Sequence, residues 1–112
     1  MKKIYLLIIL ILTSSTAFAT RFDATGDIGQ IRYHVDNGKL APSWNKTVWF
    51  QLKNSNKNFC YQNKVSIKDG DEVAISMLLA AKMANKKVMI TLDDTVKYPS
   101  GGYCLMQYIT IL

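Results

Sequence analysis

The chain has 112 residues, of which 49% are hydrophobic and 20% are charged, and its formal net charge is +6. This length accommodates one domain and excludes a multidomain enzyme. The composition is ordinary for a globular fold and excludes a wholly disordered chain.

The first nineteen residues have the pattern of a secretory signal peptide. Two lysines precede the apolar run Ile4–Leu12, which is about half as long as a membrane-spanning helix. Ala17-Phe18-Ala19 then has the small-x-small pattern of a cleavage site. We expect cleavage near Ala19, a secreted or periplasmic location, no membrane span, and a single mature domain over residues 20–112.

The predicted mature chain keeps a positive charge, with 12 basic and 8 acidic residues. On an intracellular protein this charge would suggest nucleic acid, but export argues against that partner. The lysines of the first half are spread singly, as on a solvated surface. A modest attraction to acidic surfaces, such as lipopolysaccharide or sialylated glycans, is compatible with this charge.

Three strands are predicted in the first half of the mature chain. Apolar and polar residues alternate over Ile28–Val35 and again over Thr47–Lys53, and the turn Asp36-Asn37-Gly38-Lys39 follows the first run. Phe59–Ile67 is a third, weaker candidate. On the second strand, Trp49 is predicted to face outward, opposite the apolar positions of that strand.

A helix and two further strands complete the predicted order. The helix opens at Lys68-Asp69-Gly70-Asp71, with Asp69 or Asp71 as its N-cap, and runs to about Lys87. Val88–Leu92 and Tyr103–Leu112 are strongly apolar strands. The fold class is therefore mainly β with one helix, in the order of the OB-fold, a five-stranded Greek-key barrel with its helix between strands 3 and 4. A small α+β sandwich and a pilin-like domain are the alternatives.

Two cysteines in an exported chain of this size predict one disulfide, Cys60–Cys104. Its loop of about 44 residues would contribute roughly 4 kcal/mol in the chain-entropy model. That contribution matters for a domain whose core is small.

The predicted helix has little polar surface. A helix that covers one barrel needs a single apolar stripe, whereas this helix carries apolar residues on two faces. Either the helix is unusually buried within its own chain, or its second face meets another copy in a ring or dimer, which is the arrangement we expect. The residues expected at this interface are Ile75, Leu78, Leu79 and Met83.

Several segments of the second half form a combined pattern. They are Asn58-Phe59-Cys60, the helix end Ala84-Asn85-Lys86-Lys87, the strand Val88-Met89-Ile90-Thr91-Leu92-Asp93-Asp94, and Tyr98-Pro99-Ser100-Gly101-Gly102. Together they resemble the B subunits of AB5 toxins, in the branch of pertussis toxin and subtilase cytotoxin. The similarity covers about half of the chain, roughly Phe59 to Ile111.

The resemblance implies an OB-fold, a ring of five subunits with helices towards the centre, binding of host glycans or glycoproteins, and a toxin A subunit docked on the ring. Two positions depart from the family. Leu92 lies near the position of a tyrosine in sialic-acid-binding members, and their binding serine has no clear counterpart around Thr25 and Gly26. The sugar-binding role is therefore implied by analogy, without those ligand residues.

Candidate glycan-binding residues combine aromatic rings with hydroxyls and amides. An aromatic face suits the C–H surface of a sugar, and polar side chains suit its hydroxyl edge. The best candidates are Trp49 and the loop residue Trp44 with its neighbours Ser43 and Asn45, while Tyr61, Tyr98 and Tyr103 are weaker candidates. The alternative is that the tryptophans pack in the core or at a subunit interface.

The sequence offers no convincing catalytic or metal site. His34 is the single histidine and is expected at the surface, and no serine or cysteine has an identifiable base. Asp93 and Asp94 are adjacent on a strand and would point to opposite faces. The acidic residues at the helix start lack EF-hand spacing. We expect a chain that is not an enzyme and that binds no metal or cofactor.

Two functional hypotheses follow. The first is a secreted, non-catalytic, glycan-binding B-subunit-like module of an AB5-type toxin that assembles as a ring, which the resemblance implies to be a pentamer. The alternative is a free-standing periplasmic or secreted OB-fold interaction protein, such as an inhibitor or an envelope accessory factor, without a toxin partner.

Overall fold

One curled, six-stranded sheet with a single helix packed across it forms the fold. The computed structural model describes residues 21–99 and 101–112, so the predicted signal peptide lies outside the described residues. The elements are β1 (Arg21–Tyr33), a short 3-10 helix (Pro42–Trp44), β2 (Val48–Lys53), β3 (Lys64–Ile67), α1 (Glu72–Met83), β4 (Val88–Asp93), β5 (Cys104–Leu105) and β6 (Tyr108–Ile111). The fold is mainly β with one helix, which follows β3 as predicted.

The long first strand joins the two halves of the sheet. Its first part pairs with β4 and its second part with β2, both antiparallel, in the strand order β5-β3-β2-β1-β4-β6. The register shifts at a bulge between Ile28 and Ile31. There, the Lys82 ammonium of α1 donates to the carbonyl oxygens of Ile28 and Gly29, at 3.3 and 2.7 Å. The helix is thereby attached to the point where β1 changes partner.

The terminal apolar run forms two strands instead of the single predicted one. β5 pairs parallel with β3, and β6 pairs antiparallel with β4. Between them, the Met106 amide donates to the Ser66 carbonyl and the Gln107 amide donates to the Thr91 carbonyl. The run is divided because its backbone changes partner here, and the described residues therefore form six strands where five were predicted.

The helix begins as predicted and ends earlier. Asp71 is its N-cap, since its carboxylate accepts from the Ala74 amide at 3.2 Å. At the other end, Asn85 adopts a left-handed conformation with φ of 54°. The amides of Asn85 and Lys86 donate to the carbonyls of Lys82 and Ala81, which is the Schellman pattern that ends helices. No helix among the described residues combines the length and apolar character needed to cross a membrane.

The inner side of α1 packs on the sheet. Ala74, Leu78 and Ala81 are buried against strand residues that include Phe50 and Ile90. Leu78 is fully buried in the core of its own chain, so it is not available to a second copy as the sequence suggested.

The other residues expected at the helix interface divide between the core and the surface. Ile75 is partly buried against the core, whereas Leu79 and Met83 are 45% and 87% exposed. The apolar residues that α1 turns away from the sheet are therefore fewer than predicted, because Leu78 and part of Ile75 belong to the core side of the helix.

Candidate functional site

Five ring side chains gather where the loop after β1 and the segment between β2 and β3 meet the segment before β5. They are His34, Trp44, Trp49, Tyr61 and Tyr103, and we call them the aromatic cluster. Tyr103 is central, with its ring centroid 4.6 Å from Trp44, 5.7 Å from Trp49 and 5.9 Å from Tyr61. Its contacts with the two tryptophans are edge-to-face, an arrangement that aromatic pairs favour.

Trp49 lies at the bottom of this cluster, beneath the other rings. It lies on β2 and is only 3% exposed, and the next residue, Phe50, is buried in the main core. Successive strand residues point to opposite faces, so Trp49 projects away from that core as predicted. It is nevertheless covered, because the rest of the cluster packs over it. Trp49 therefore supports the surface from below and offers little of its own ring to a ligand.

Trp44 is held by a short turn at the edge of the cluster. Its amide donates to the Ala41 carbonyl, and its carbonyl accepts from the Thr47 amide, both at 2.9 Å. Ser43 lies exposed on the same turn. The Asn45 side-chain amide donates to the Gly38 carbonyl at 3.1 Å and so fastens the loop onto itself. Trp44 and Ser43 are available to a ligand, while Asn45 holds the loop that carries them.

Tyr61 is brought to the cluster by the predicted disulfide, which is confirmed. The Cys60–Cys104 bond joins the neighbours of Tyr61 and Tyr103, so one crosslink places both tyrosines. The Tyr61 amide also donates to the Gly102 carbonyl at 2.8 Å. A Cβ at position 102 would lie 2.8 Å from the Tyr61 Cβ, so this approach requires glycine. Tyr61 itself is 50% exposed.

Two cations lie over the rings, and the sequence analysis did not identify either. The Lys64 ammonium is 4.8 Å from the Trp49 centroid and 5.1 Å from that of Tyr61, and Arg32 lies 5.1 Å from Trp49. Such distances are those of cation–π contacts. Arg32 is the direct cross-strand partner of Trp49. Knowledge of the strand register would have placed Arg32 beside Trp49 from the sequence.

His34 is half-buried at the edge of the cluster, and it makes contacts that the sequence did not predict. The Trp49 indole Nε1–H donates to His34 Nε2 at 3.2 Å, and the imidazole centroid lies 5.3 Å from that of Trp44. Burial and then the nearby Arg32 charge lower the pKa of His34 below its ordinary value of 6.5. The imidazole is therefore held neutral, as an acceptor, at neutral pH.

A cleft opens beside these rings. It has a volume of about 230 Å³. Its lining residues are Arg32, His34, Ala41, Trp44, Trp49 and Tyr103. A second cleft of about 470 Å³ shares Arg32, His34 and Ala41 and continues along the loop after β1. The first cleft alone is smaller than the roughly 300–1,000 Å³ of a typical drug-sized ligand pocket.

Carboxylates outside the cluster have structural roles. The Asp93 carboxylate accepts from the amide and the hydroxyl of Thr95, at 2.9 and 2.6 Å, and these hydrogen bonds lower the pKa of Asp93. This arrangement stabilises the turn that follows β4. Within residues 21–99 and 101–112, no group of three or more histidine, cysteine or acidic side chains is arranged to hold a metal ion.

Comparisons with known proteins do not identify a family for this chain. No protein-family model, no curated protein and no solved structure matches the chain.

Proposed function

We propose that this chain is a secreted, non-catalytic glycan-binding module of the B-subunit type, and that the aromatic cluster is its sugar-binding surface. The observation that carries the proposal is the group of partly exposed rings of Trp44, Tyr103 and Tyr61, of which the first two line a cleft. Rings of this kind supply rigid contact area to the C–H faces of a sugar. The exposed Ser43 beside them supplies a hydroxyl for the sugar's polar edge.

The cations at the cluster favour an acidic sugar. Lys64 and Arg32 both lie over cluster rings, and Arg32 also lines the cleft. A carboxylate on the ligand would form charge-assisted hydrogen bonds with either side chain, which are stronger than neutral ones. We therefore expect sialylated host glycans or glycoproteins to bind better than neutral ones.

The strand pairings support an OB-type barrel for this module. β5 and β6 are separated by two residues and pair with β3 and β4, which lie on the two sides of the β2–β1 pair. If they are counted as two halves of one terminal strand, the order becomes that of a five-stranded barrel with its helix between strands 3 and 4. The sixth strand is then a consequence of the change of partner at Met106 and Gln107.

The outer side of α1 supports self-assembly into a ring. Val73, Leu79 and Met83 are 72%, 45% and 87% exposed, which is unusual for apolar residues on one helix face. Five subunits with these faces towards the centre, and a toxin A subunit docked on the ring, are the assembly that the resemblance implies. In this assembly the aromatic cluster would be repeated in every subunit.

Light scattering of the purified protein tests this assembly. We expect a mass near five subunits, and a single subunit for the double variant Leu79→Lys and Met83→Lys, because burying two ammonium groups at an interface is unfavourable. Leu40→Lys, which changes an exposed leucine on a loop, is the matched control and should keep the wild-type mass. A wild-type monomer would overturn the ring and favour the free-standing interaction protein.

Replacing Trp44 by alanine tests the sugar-binding surface. On an array of sialylated and neutral host glycans, we expect the variant to bind its preferred glycan on the order of 30-fold more weakly, a loss of about 2 kcal/mol typical of a central aromatic contact. Because Trp44 is only partly buried, the fold should persist.

The control for Trp44→Ala is Tyr108→Ala. Tyr108 is also an exposed aromatic residue with a cation over its ring, since Arg21 lies 5.0 Å from its centroid, but it is on β6, outside the aromatic cluster. Glycan binding that survives Trp44→Ala, or that falls equally in Tyr108→Ala, would contradict the assignment of the site.

A further inference from the structure

We propose that His34 is a positioning residue of the aromatic cluster, and that acid weakens glycan binding because a protonated His34 cannot accept the hydrogen bond that fixes Trp49. This inference rests on the proposed function of the cluster, and it adds a regulation that the resemblance does not imply. It concerns the orientation of the rings and does not require His34 to touch the glycan.

The direction of the hydrogen bond between the two rings fixes the protonation state of His34. An indole N–H is a donor only, so the His34 Nε2 that lies 3.2 Å away must be the unprotonated acceptor, and the ring proton is on Nδ1. Trp49 is 3% exposed, which leaves little access for water to replace this acceptor. Protonation of Nε2 would place two donors against each other.

Hydrogen bonds hold the backbone of His34 in place, and its ring lies between the two tryptophans. The His34 amide donates to the Thr47 carbonyl at 2.9 Å, and its carbonyl accepts from the Lys46 amide at 2.7 Å. The imidazole lies against Trp44 on one side and bonds Trp49 on the other. A change at the imidazole is therefore transmitted to both tryptophans, of which Trp44 is the one proposed to contact sugar.

The charged groups around His34 oppose its protonation. Arg32 on β1 lies in the same cleft, and Lys64 on β3 lies over the Trp49 ring. Tyr103 contributes its ring from the segment before β5, and the Lys46 ammonium is directed towards Asp36, at 3.8 Å. None of the described residues that line the cleft is acidic. No lining carboxylate is therefore present to stabilise an imidazolium.

The sign of the pH effect follows from these neighbours. Burial and Arg32 hold the pKa of His34 below 6.5, so the neutral form that binds Trp49 predominates above that pH. As the pH falls through the lowered value, the acceptor is lost. We expect glycan affinity to fall by about fivefold or more over this range, the lower end of typical coupling between two sites.

The indole N–H resonance of Trp49 provides a direct test that needs no glycan. In the purified ¹⁵N-labelled protein, we expect this resonance to move with a titration midpoint below about pH 6.5 and to lose its protection from solvent exchange in acid. In His34→Gln, whose side-chain carbonyl can still accept but cannot be protonated there, the transition should disappear. A Trp49 resonance that does not move, or that moves equally in His34→Gln, overturns the proposal.

Binding of sialyllactose provides the second test, with lactose as the neutral probe. For the wild type, we expect weaker sialyllactose binding at about pH 5 than at about pH 7.5, and for His34→Gln the same affinity at both. Equal wild-type affinity at the two pH values overturns the regulation. If neither saccharide nor any array glycan binds, the proposed function fails, while the Trp49 resonance still decides the role of His34.

Discussion

Replacing Cys60 and Cys104 together by alanine is expected to lower the free energy of unfolding by about 4 kcal/mol in the chain-entropy model. The bond spans a sequence separation of 44, and losing it releases that loop in the unfolded state. Urea unfolding followed by circular dichroism, with the protomer concentration held constant, would measure the loss. An unchanged midpoint would show that the bond constrains neither the folded nor the unfolded chain.

The same substitution should reduce glycan binding, because the disulfide carries the positions of Tyr61 and Tyr103. The two tyrosines adjoin the two cysteines, and their rings lie 5.9 Å apart. Leu78→Ala is the matched control, since it empties a fully buried position in the core at a cost of about 2–5 kcal/mol without touching the cluster. Equal binding losses in the two proteins, each under conditions where it is folded, would mean that stability alone accounts for the effect.

The regular elements were predictable because their signals are local. Alternation located β2, the apolar run located β4, and the polar segment with Asp71 located the start of α1. The first seven residues of β1 were missed, because Asp23, Gly26 and Asp27 interrupt the apolar pattern there. These residues form a strand through pairing with β4, which is distant in sequence.

The boundaries that were wrong depend on tertiary pairing or on one backbone angle. The third strand was predicted from Phe59, but it begins at Lys64 because three residues before it, Cys60, Gln62 and Asn63, have positive φ. The end of α1 was placed about four residues late, because Asn85 is left-handed and ends the helix, a role that asparagine can take but that glycine takes more often. The terminal run was divided by its change of partner between β3 and β4.

The aromatic residues of the candidate site were predicted from residue type, whereas their arrangement and their polar neighbours are known only from the fold. The aromatic candidates Trp44, Trp49 and Tyr61 lie in one cluster, but their sequence positions alone could not place them together. His34 and Lys64 were missed because their roles depend on which strands pair and which loops fold over Trp49. A single histidine among polar neighbours carries no such signal.

Trp49→Ala is expected to lower the free energy of unfolding by about 3–5 kcal/mol, the usual cost of removing a buried tryptophan. Its ring is almost fully buried, contacts Tyr103 and lies beneath Lys64 and Arg32, so its removal leaves a void under the whole cluster. Urea unfolding would measure the loss, and glycan binding should be lost with it. Trp44→Ala, at the partly exposed edge, should cost less stability for a similar loss of binding.

Trp49→Phe separates the packing of this ring from its hydrogen bond. The smaller ring keeps much of the apolar contact but has no N–H for His34, so we expect a stability loss of about 1 kcal/mol, near the net value of one hydrogen bond, together with whatever the reduced volume adds. If Trp49 supports the surface as described, the phenylalanine variant should bind glycan at neutral pH and no longer lose affinity in acid through His34. If Trp49→Ala lowered the free energy of unfolding no more than Trp44→Ala does, Trp49 would behave as a surface residue. The cluster would then not depend on Trp49 for support.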